Sequence, residues 1–563
     1  MYSVTVLTVN HSPSNKLVPE RRRLKPIIGS VDRVTADAII IGAGHNGLVA
    51  ANLLADAGWD VLVVEATPQP GGAVRSGHVT ASGYLSDLFS SFYPLGYASP
   101  VMKSLDLHQH GLVWTHAPDV LTHLLPDGRA ATVSRDVDRT MASMETFAPG
   151  DGERWRAAYA QWCDISHHLV PALFGGFPPV RHGAGVVREL GVGGTMRLAR
   201  QLVLSARQLG TELFRGEGAQ LALAGCTLHT DLSPEDAAGG ISGWLLAMLG
   251  QENGWPVPVG GAQQITSALV ERLRERGGRI IYQAPVTRVL MARGRAMGVR
   301  TAAGADLRAR RAVLADVPAP ALYLDLVGAH ALPPRLVEDL EHFRWDGATL
   351  KVDWAVDGKV PWTNPAVAGS GVVHLAADMN GLTRYAAQLS TDELPTDPFM
   401  LLGQMTTADA SRSPAGTESL WAYTHLPFRQ KWHPDDIAVQ VSRMERVIES
   451  QAPGFTAKVV GRNVFGPADL ERENPSLVGG ALGGGTAAAF QQLFFRPIPG
   501  LGRPDTPVDR LFLAGSSAHP GGGVHGVPGA NAARAALARD RALTGAAYRA
   551  AINAANGAIY RRG

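Results

Sequence analysis

The chain has 563 residues, 45% of them hydrophobic and 18% charged, with a formal net charge of +2; the length supports two or more domains, or one large interleaved one, and the charge balance excludes the basic bias of a nucleic-acid binder. Two cysteines, Cys163 and Cys226, exclude a disulfide framework, a redox-active C-x-x-C dithiol and any zinc-ligand spacing, so no metal is expected and both thiols read as small buried hydrophobes. No stretch of about 18 apolar residues occurs, so no transmembrane helix is predicted.

Residues 1–35 are irregular and carry a basic cluster, Arg21, Arg22, Arg23 and Lys25, ahead of Pro26. No long apolar segment follows it, so a disordered extension is expected, with a targeting segment as the alternative. Regular pattern begins at residue 36. Residues 38–41 form a short apolar run rich in β-branched side chains, which reads as a buried parallel strand. Gly42-Ala43-Gly44-His45-Asn46-Gly47 follows, a G-x-G-x-x-G fingerprint. A helix-favouring stretch then runs to Gly58, and a second strand over 60–64 ends on Glu65. In such a unit Gly42 permits the tight turn, Gly44 leaves room for a pyrophosphate, and Gly47 lets helix and strand pack closely. The helix N-terminus offers free N–H groups and a positive dipole end to the phosphates. Glu65 stands where an acid accepts from ribose hydroxyls, and it would repel a 2′-phosphate, which argues against NADP here. Beyond it, Gly71-Gly72 lets backbone pass close to a second part of a large ligand. Arg75 has two readings: a neutraliser of pyrophosphate charge, or an ordinary surface arginine.

The segment 36–76, and above all its run IGAGHNGLVAA, resembles the FAD-binding N-terminus of the phytoene desaturase and carotenoid isomerase group of flavoproteins. Within that group it is most similar to the branch containing pyridine nucleotide-disulfide oxidoreductase domain-containing protein 2. The resemblance implies FAD as the cofactor. It also implies an α/β fold: a Rossmann-like FAD-binding domain built from discontinuous segments, with an interleaved α+β substrate domain.

Residues 84–92 are apolar and hydroxyl-rich; by resemblance they run near the flavin, and by composition alone they are core. Alternation over 120–133, broken by Pro126-Asp127-Gly128, predicts a pair of strands. Residues 136–147 and 152–170 read as helices, the second ended by Pro171. A longer amphipathic pattern covers 194–214, with arginines mostly on one side; it packs on the core, lines an apolar tunnel or rests on a membrane surface. His229 faces a substrate or is a satisfied core histidine. Residues 264–276 predict a helix, followed by strands over 279–283, 286–289, 295–301 and 306–314. In the flavoproteins that this chain resembles, a valine after such a strand contacts the adenine; Val286 is the match, with a core valine as the plain reading. Further strands are predicted at 349–356, 372–376, 399–405 and 419–426, and a helix at 435–452. Residues 474–495 are glycine-rich, then aromatic, and resemble a substrate-side loop whose glycines resist ordering.

Near the C-terminus a strand over 508–514 meets Gly515, then a glycine- and histidine-rich loop, then a helix over 530–542. By resemblance this unit completes the nucleotide domain. Gly515 approaches the ribityl side, and the helix start around Gly526 and Val527 points its dipole at the flavin pyrimidine. Ser516 stands where many such flavoproteins carry an acid, which leaves that ribityl contact open. The cofactor set is thus Gly42, Gly44, Asn46, Gly47, Glu65, Gly71, Gly72, Arg75, Val286, Gly515, Gly526 and Val527. Its segments are 36–125, 256–328 and 506–545, interleaved with substrate-domain segments 126–255 and 329–505 and followed by a tail, 546–563.

The function implied is that of an FAD-dependent, phytoene dehydrogenase-like oxidoreductase, moving hydride from an apolar or lipid-like small molecule to flavin N5. An amine or alcohol oxidase, or a non-catalytic FAD-binding regulatory protein, are the alternatives. No second fingerprint for NAD(P)H occurs, so a quinone or dioxygen is the expected electron acceptor. The expected location is cytoplasmic, with contact to a membrane surface left open. No acid–base pair stands out; His519 and His525, beside the expected flavin, either orient a substrate or water or hold their loop by hydrogen bonds.

Overall fold

A computed structural model describes residues 34–560, apart from 177 and 376; the expectations for residues 1–33 fall outside that range. The chain builds two seven-stranded sheets and visits each more than once. It opens with β1 (Thr35–Ile41), α1 (His45–Asp56) and β2 (Val61–Val64). It then crosses to the second sheet for β3 (Asp119–Leu124) and β4 (Ala130–Val133). A helical array follows: α2 (Val137–Glu145), α3 (Asp151–Leu173), α4 (Val180–Gln201), α5 (Ala206–Leu213), α6 (Glu217–Thr227) and α7 (Gly239–Asn253). The chain returns through α8 (Gln263–Glu275) to β5 (Arg279–Ile281), β6 (Val286–Ala292), β7 (Arg295–Thr301) and β8 (Asp306–Ala315). A second excursion gives β9 (Ala348–Val356), β10 (Ser370–Leu375), β11 (Met400–Gln404), β12 (Glu418–Leu426), α9 (Pro434–Gln451) and β13 (Val459–Phe465). The last return is β14 (Leu511–Leu513), α10 (Val527–Asp540) and α11 (Gly545–Tyr560).

The first sheet has the order β6-β7-β8-β1-β2-β5, and β14 pairs with the C-terminal end of β8. Its central strands are parallel and closed to water on both faces, which is why residues 38–41 and 61–64 read as unbroken apolar runs. The second sheet runs β13-β9-β12-β11-β10-β3-β4 and is antiparallel except where β10 meets β3.

Several expectations shift for local reasons. The pattern over 194–214 is not one helix: α4 ends at Gln201, and α5 restarts behind Ser205, whose hydroxyl accepts from the Gln208 N–H as an N-cap. Pro171 lies inside the last turn of α3 rather than ending it. α10 begins three residues early, at Val527, because Pro528 occupies the first turn, where a missing N–H costs nothing. The tail expected over 546–563 is largely helix α11, docked by hydrogen bonds from Tyr548 Oη to Asp505 Oδ2 and from Tyr560 Oη to the Pro499 carbonyl, both 2.8 Å. Cys226 is buried as expected, but Cys163 is exposed. Among the described residues no helix is long and apolar enough to cross a membrane.

Phe512, on β14, is buried among Ile40, Leu314, Val527 and Ala530 and joins the last strand to the core of the first lobe. Phe512→Ala is expected to cost about 3–5 kcal/mol in urea unfolding through the cavity it leaves. A loss below about 1 kcal/mol would show that β14 is not part of the cooperative core.

Candidate functional site

The two sheets and the helical array enclose a cavity of about 1300 Å³. Gly42, Gly44, Glu65, Gly72, Arg75, Val286, Gly515, His519 and His525 line it, so residues from both chain ends meet there. Asn46, Gly47, Gly71, Gly526 and Val527 stand just behind that wall, in the turns and helix ends that shape it.

The fingerprint behaves as its glycines require. Gly42 has φ +92°, which favours glycine, and a Cβ on Gly47 would stand 2.3 Å from the Gly42 carbonyl oxygen. A Cβ on Gly44 would lie 2.5 Å from Asp316 Oδ2, so the Asp316 carboxylate stands over the α1 N-terminus, where only glycine leaves room. Gly71 donates to the Ala43 carbonyl at 2.8 Å and brings the second glycine turn onto the first. Asn46 is fully buried, with no partner for either side-chain polar atom among the described residues. Glu65 ends β2 as expected, but its carboxylate is already anchored. Oε2 accepts from the Ala43 N–H at 2.6 Å, and Oε1 from the Thr67 N–H at 2.8 Å and hydroxyl at 2.7 Å. Oε1 already accepts twice, whereas Oε2 keeps a second lone pair for a ligand hydroxyl.

Arg75 is no surface residue. It is 3% exposed, donates from Nε to the Gly72 carbonyl at 3.0 Å and from Nη2 to the Glu473 carbonyl at 2.8 Å, and lies over the Phe89 ring. It therefore ties the glycine turn of one lobe to the second excursion of the chain.

The last segment closes on the first. Gly515 packs so tightly that a Cβ would lie 2.6 Å from the Val317 carbonyl oxygen. The His45 ring Nε2 and the Gly523 carbonyl lie 3.2 Å apart, across 478 positions of sequence. His525 Nδ1 accepts from the Val527 N–H at 3.2 Å, leaving Nε2 as the donor toward the Gly522 carbonyl at 3.3 Å. Its lone pair is thus spent on the α10 N-terminus, and burial pushes its pKa down to about 3. His519 is buried beside Arg496; burial and that cation lower its pKa to about 4.

Residues that sequence reasoning missed form the opposite wall. Thr349 and Lys351 on β9 and Trp421, Tyr423 and His425 on β12 all line the cavity. Lys351 is buried and pairs with Asp353 two positions on, the same face of the strand. The alternation over 349–356 was legible, but the polar face of β9 meets the cavity rather than open solvent, and all nine residues are buried. His229 also faces the cavity. Its Nε2 meets His374 Nε2 at 2.9 Å, and burial lowers its pKa to about 3.

The glycine-rich loop 474–495 is bound rather than loose. The Asp346 carboxylate accepts the amides of Leu482, Gly483 and Gly485 at 2.7, 2.6 and 3.0 Å. Arg496, 2% exposed, donates to the carbonyls of Gly483, Thr486 and Ser516 at 2.9, 3.0 and 2.7 Å. An apolar part of the lining comes from Leu169 and Leu173 of α3 and from Ile241, Leu245 and Leu246 of α7.

The family model described as flavin containing amine oxidoreductase matches residues 47–438. Pyridine nucleotide-disulfide oxidoreductase domain-containing protein 2 of Rattus norvegicus is 26% identical over 551 residues, covering 88% of this chain and 92% of the relative. A neurosporene-forming phytoene desaturase of Cereibacter sphaeroides is 26% identical over 516 residues, covering 89% and 94%. Among solved structures, an oxidoreductase from Methanosarcina mazei shares the fold with a TM-score of 0.58 at 17% identity, covering 89% and 99%. The cavity fits FAD: a bare glycine turn at a helix N-terminus, an acid at the end of the next strand and a second helix start facing the same space.

Gly44→Val puts a branched side chain over the α1 N-terminus, and the protein is expected to purify without the visible flavin bands. The FAD Kd should rise by more than about 100-fold, or roughly 2.7 kcal/mol. An unchanged absorption spectrum would place the pyrophosphate elsewhere.

Proposed function

Because the chain belongs to the flavin-containing amine oxidoreductase family and is an FAD-dependent oxidoreductase, we propose that it is a dehydrogenase of the desaturase type, taking hydride from an apolar, lipid-like substrate. The observation that carries this reading is the apolar arm of the cavity, built by Leu169, Leu173, Ile241, Leu245 and Leu246. It gives an alkyl or polyene chain a predominantly apolar wall. When bound, the flavin supplies the hydride acceptor.

The chain's own residues orient the substrate and exclude water. Gly42, Gly44, Gly47 and Glu65 hold the adenosine diphosphate end, with Asn46, Gly71, Gly72, Arg75 and Val286 around it. Gly515, Gly526 and Val527 approach the ring end, where the α10 N-terminus offers its positive dipole end to developing negative charge. His525 keeps that helix start in place, and His45 joins it to the first fingerprint. Trp421 and Tyr423, stacked at 6.0 Å, form a flat side to the cavity. Lys351 is the buried ammonium among the lining residues on that side, positioned to orient a water or the substrate edge.

Oxidation of an amine is the second reading. It rests on Asp231, an acid in the lining whose pKa burial raises. That carboxylate already accepts the Ala487 N–H at 2.8 Å, which leaves the desaturase reading the stronger. A quinone or dioxygen would serve as the final electron acceptor. An apolar substrate also needs a route from lipid. Val192 and Met196 on α4 are 74% and 69% exposed; Arg197 lies on the same turns, and Arg181 and Arg188 precede the break in α4 at Gly191, φ +63°. Pro179 and Leu202, at its two ends, line the cavity. This supports peripheral contact of a cytoplasmic protein with an anionic bilayer.

Anaerobic titration of the yellow protein is expected to bleach the flavin band with polyene or terpenoid hydrocarbons and leave it unchanged with primary amines. Bleaching by amines alone would establish the second reading, and bleaching by neither class would favour a non-catalytic FAD-binding protein. In a separate assay, the protein should sediment with phosphatidylcholine–phosphatidylglycerol vesicles, and a Val192→Glu, Met196→Glu variant should bind them at least about tenfold more weakly. Equal sedimentation of the two proteins would remove α4 from the membrane contact.

A further inference from the structure

The diphosphate end of the cavity has an electrostatic difficulty. Asp316 follows β8 directly, and its N–H donates to the Ile41 carbonyl at 2.8 Å, so its backbone is fixed beside the fingerprint. Its Oδ2 accepts from the Gly47 N–H at 2.8 Å and lies over Gly44, the position where a pyrophosphate must approach. Among the described residues Asp316 has no ion-pair partner within 4.0 Å, and its side chain is part of the cavity lining. The groups around it do not help. The turn from β1 to α1 presents backbone, with the His45 ring directed to the Gly523 carbonyl. β2 contributes Glu65, a second acid. The loop after β14 brings Gly515 against the Val317 carbonyl. A dianionic diphosphate would therefore meet a buried carboxylate that no cation among the described residues pairs and that already takes the Gly47 N–H the phosphate would use, which is unfavourable.

We propose that Asp316 is a cofactor-side residue that binds FAD as the neutral acid, so that FAD binding takes up a proton at this carboxyl. The proton is added to one carboxylate oxygen from solvent, and the resulting O–H becomes a donor where an acceptor stood before. Burial, opposed by the Gly47 N–H and helped by Glu65, already raises the pKa of this carboxyl to about 7 before any phosphate arrives. The diphosphate charge raises it further. The sign follows from linkage. Below about pH 7 the free protein is already protonated there and affinity is flat; above it each binding event must capture a proton, and affinity falls as pH rises. The inference rests on FAD as the cofactor and is independent of the substrate.

The test uses the full chain after removal of its flavin. Calorimetric FAD titrations near pH 8 in phosphate and in Tris, whose ionisation enthalpies differ, give the number of protons exchanged. The expected result is uptake approaching one proton per FAD. The Kd should be constant below about pH 7 and rise by up to tenfold per pH unit above it. Asp316→Asn keeps the shape and removes the proton, so it should abolish the uptake and flatten the pH profile. Absence of proton uptake by the wild-type protein overturns the proposal, whether or not the variant folds. Undiminished uptake by a folded Asp316→Asn protein overturns it equally, by assigning the proton to another group.

Discussion

The structure depends on one close contact, the crossing of α1 and α10. A Cβ on Gly529 would stand 1.9 Å from the Asn46 carbonyl oxygen, and one on Gly526 would stand 2.8 Å from Val49 Cγ2. Two helix N-termini can share one cavity only if their backbones come this near, and only glycine permits it. The pairing of β14 with β8 supplies the strand that delivers α10, and the His45–Gly523 contact closes the gap between the two loops. Each device serves the same end: the positive dipole ends of both helices are brought to one cavity, with the Asp316 carboxylate standing at the first of them.

The second lobe is held to the first by charges buried with their hydrogen bonds satisfied. Taking an arginine or a carboxylate out of water costs several kcal/mol unless polar partners replace the lost hydration. Asp346 receives three loop amides, and Arg496 meets carbonyls from the substrate-side loop and from Ser516 in the last segment. Arg75 does the same between Gly72 and Glu473. These residues clamp irregular backbone that no sheet or helix would order. They explain why a loop with so many glycines, 474–495, can form a wall of the cavity.

Much of the first lobe was legible because its physics is local. A β-branched run, three spaced glycines and a terminal acid each report on backbone that lies within a few residues of them, and Gly42, Gly47 and Glu65 stand where that reading puts them. The strands of the second sheet were legible by alternation for the same reason. The facing wall was not. The alternation of β9 is that of a strand with one wet face, yet its polar face meets a cavity, and only tertiary packing tells the two apart. Lys351 therefore carried no local signal. Asp316 was hidden differently: it follows a well-predicted strand, and its importance comes from lying across from glycines 269 positions away. The helix break near residue 202 was missed because the apolar period continues through it, while the Ser205 cap that ends the run is a single hydroxyl.

The titratable groups around the cavity share one property that bears on its chemistry. Burial holds the pKa values of His45, His229, His519 and His525 at about 4, 3, 4 and 3, so all four rings are neutral near pH 7. Lys351 is matched by Asp353, and Arg75 and Arg496 are engaged with carbonyls. Free side-chain charge is thus scarce where substrate and ring would meet, and the field there comes chiefly from backbone dipoles, the α10 N-terminus foremost. A fixed dipole needs no counterion and does not reorganise as charge develops, so it can stabilise a reduced ring while its surroundings stay dry. A site of that kind is poorly suited to shuttling protons through imidazoles, which is consistent with the proposed removal of hydride from an uncharged carbon chain.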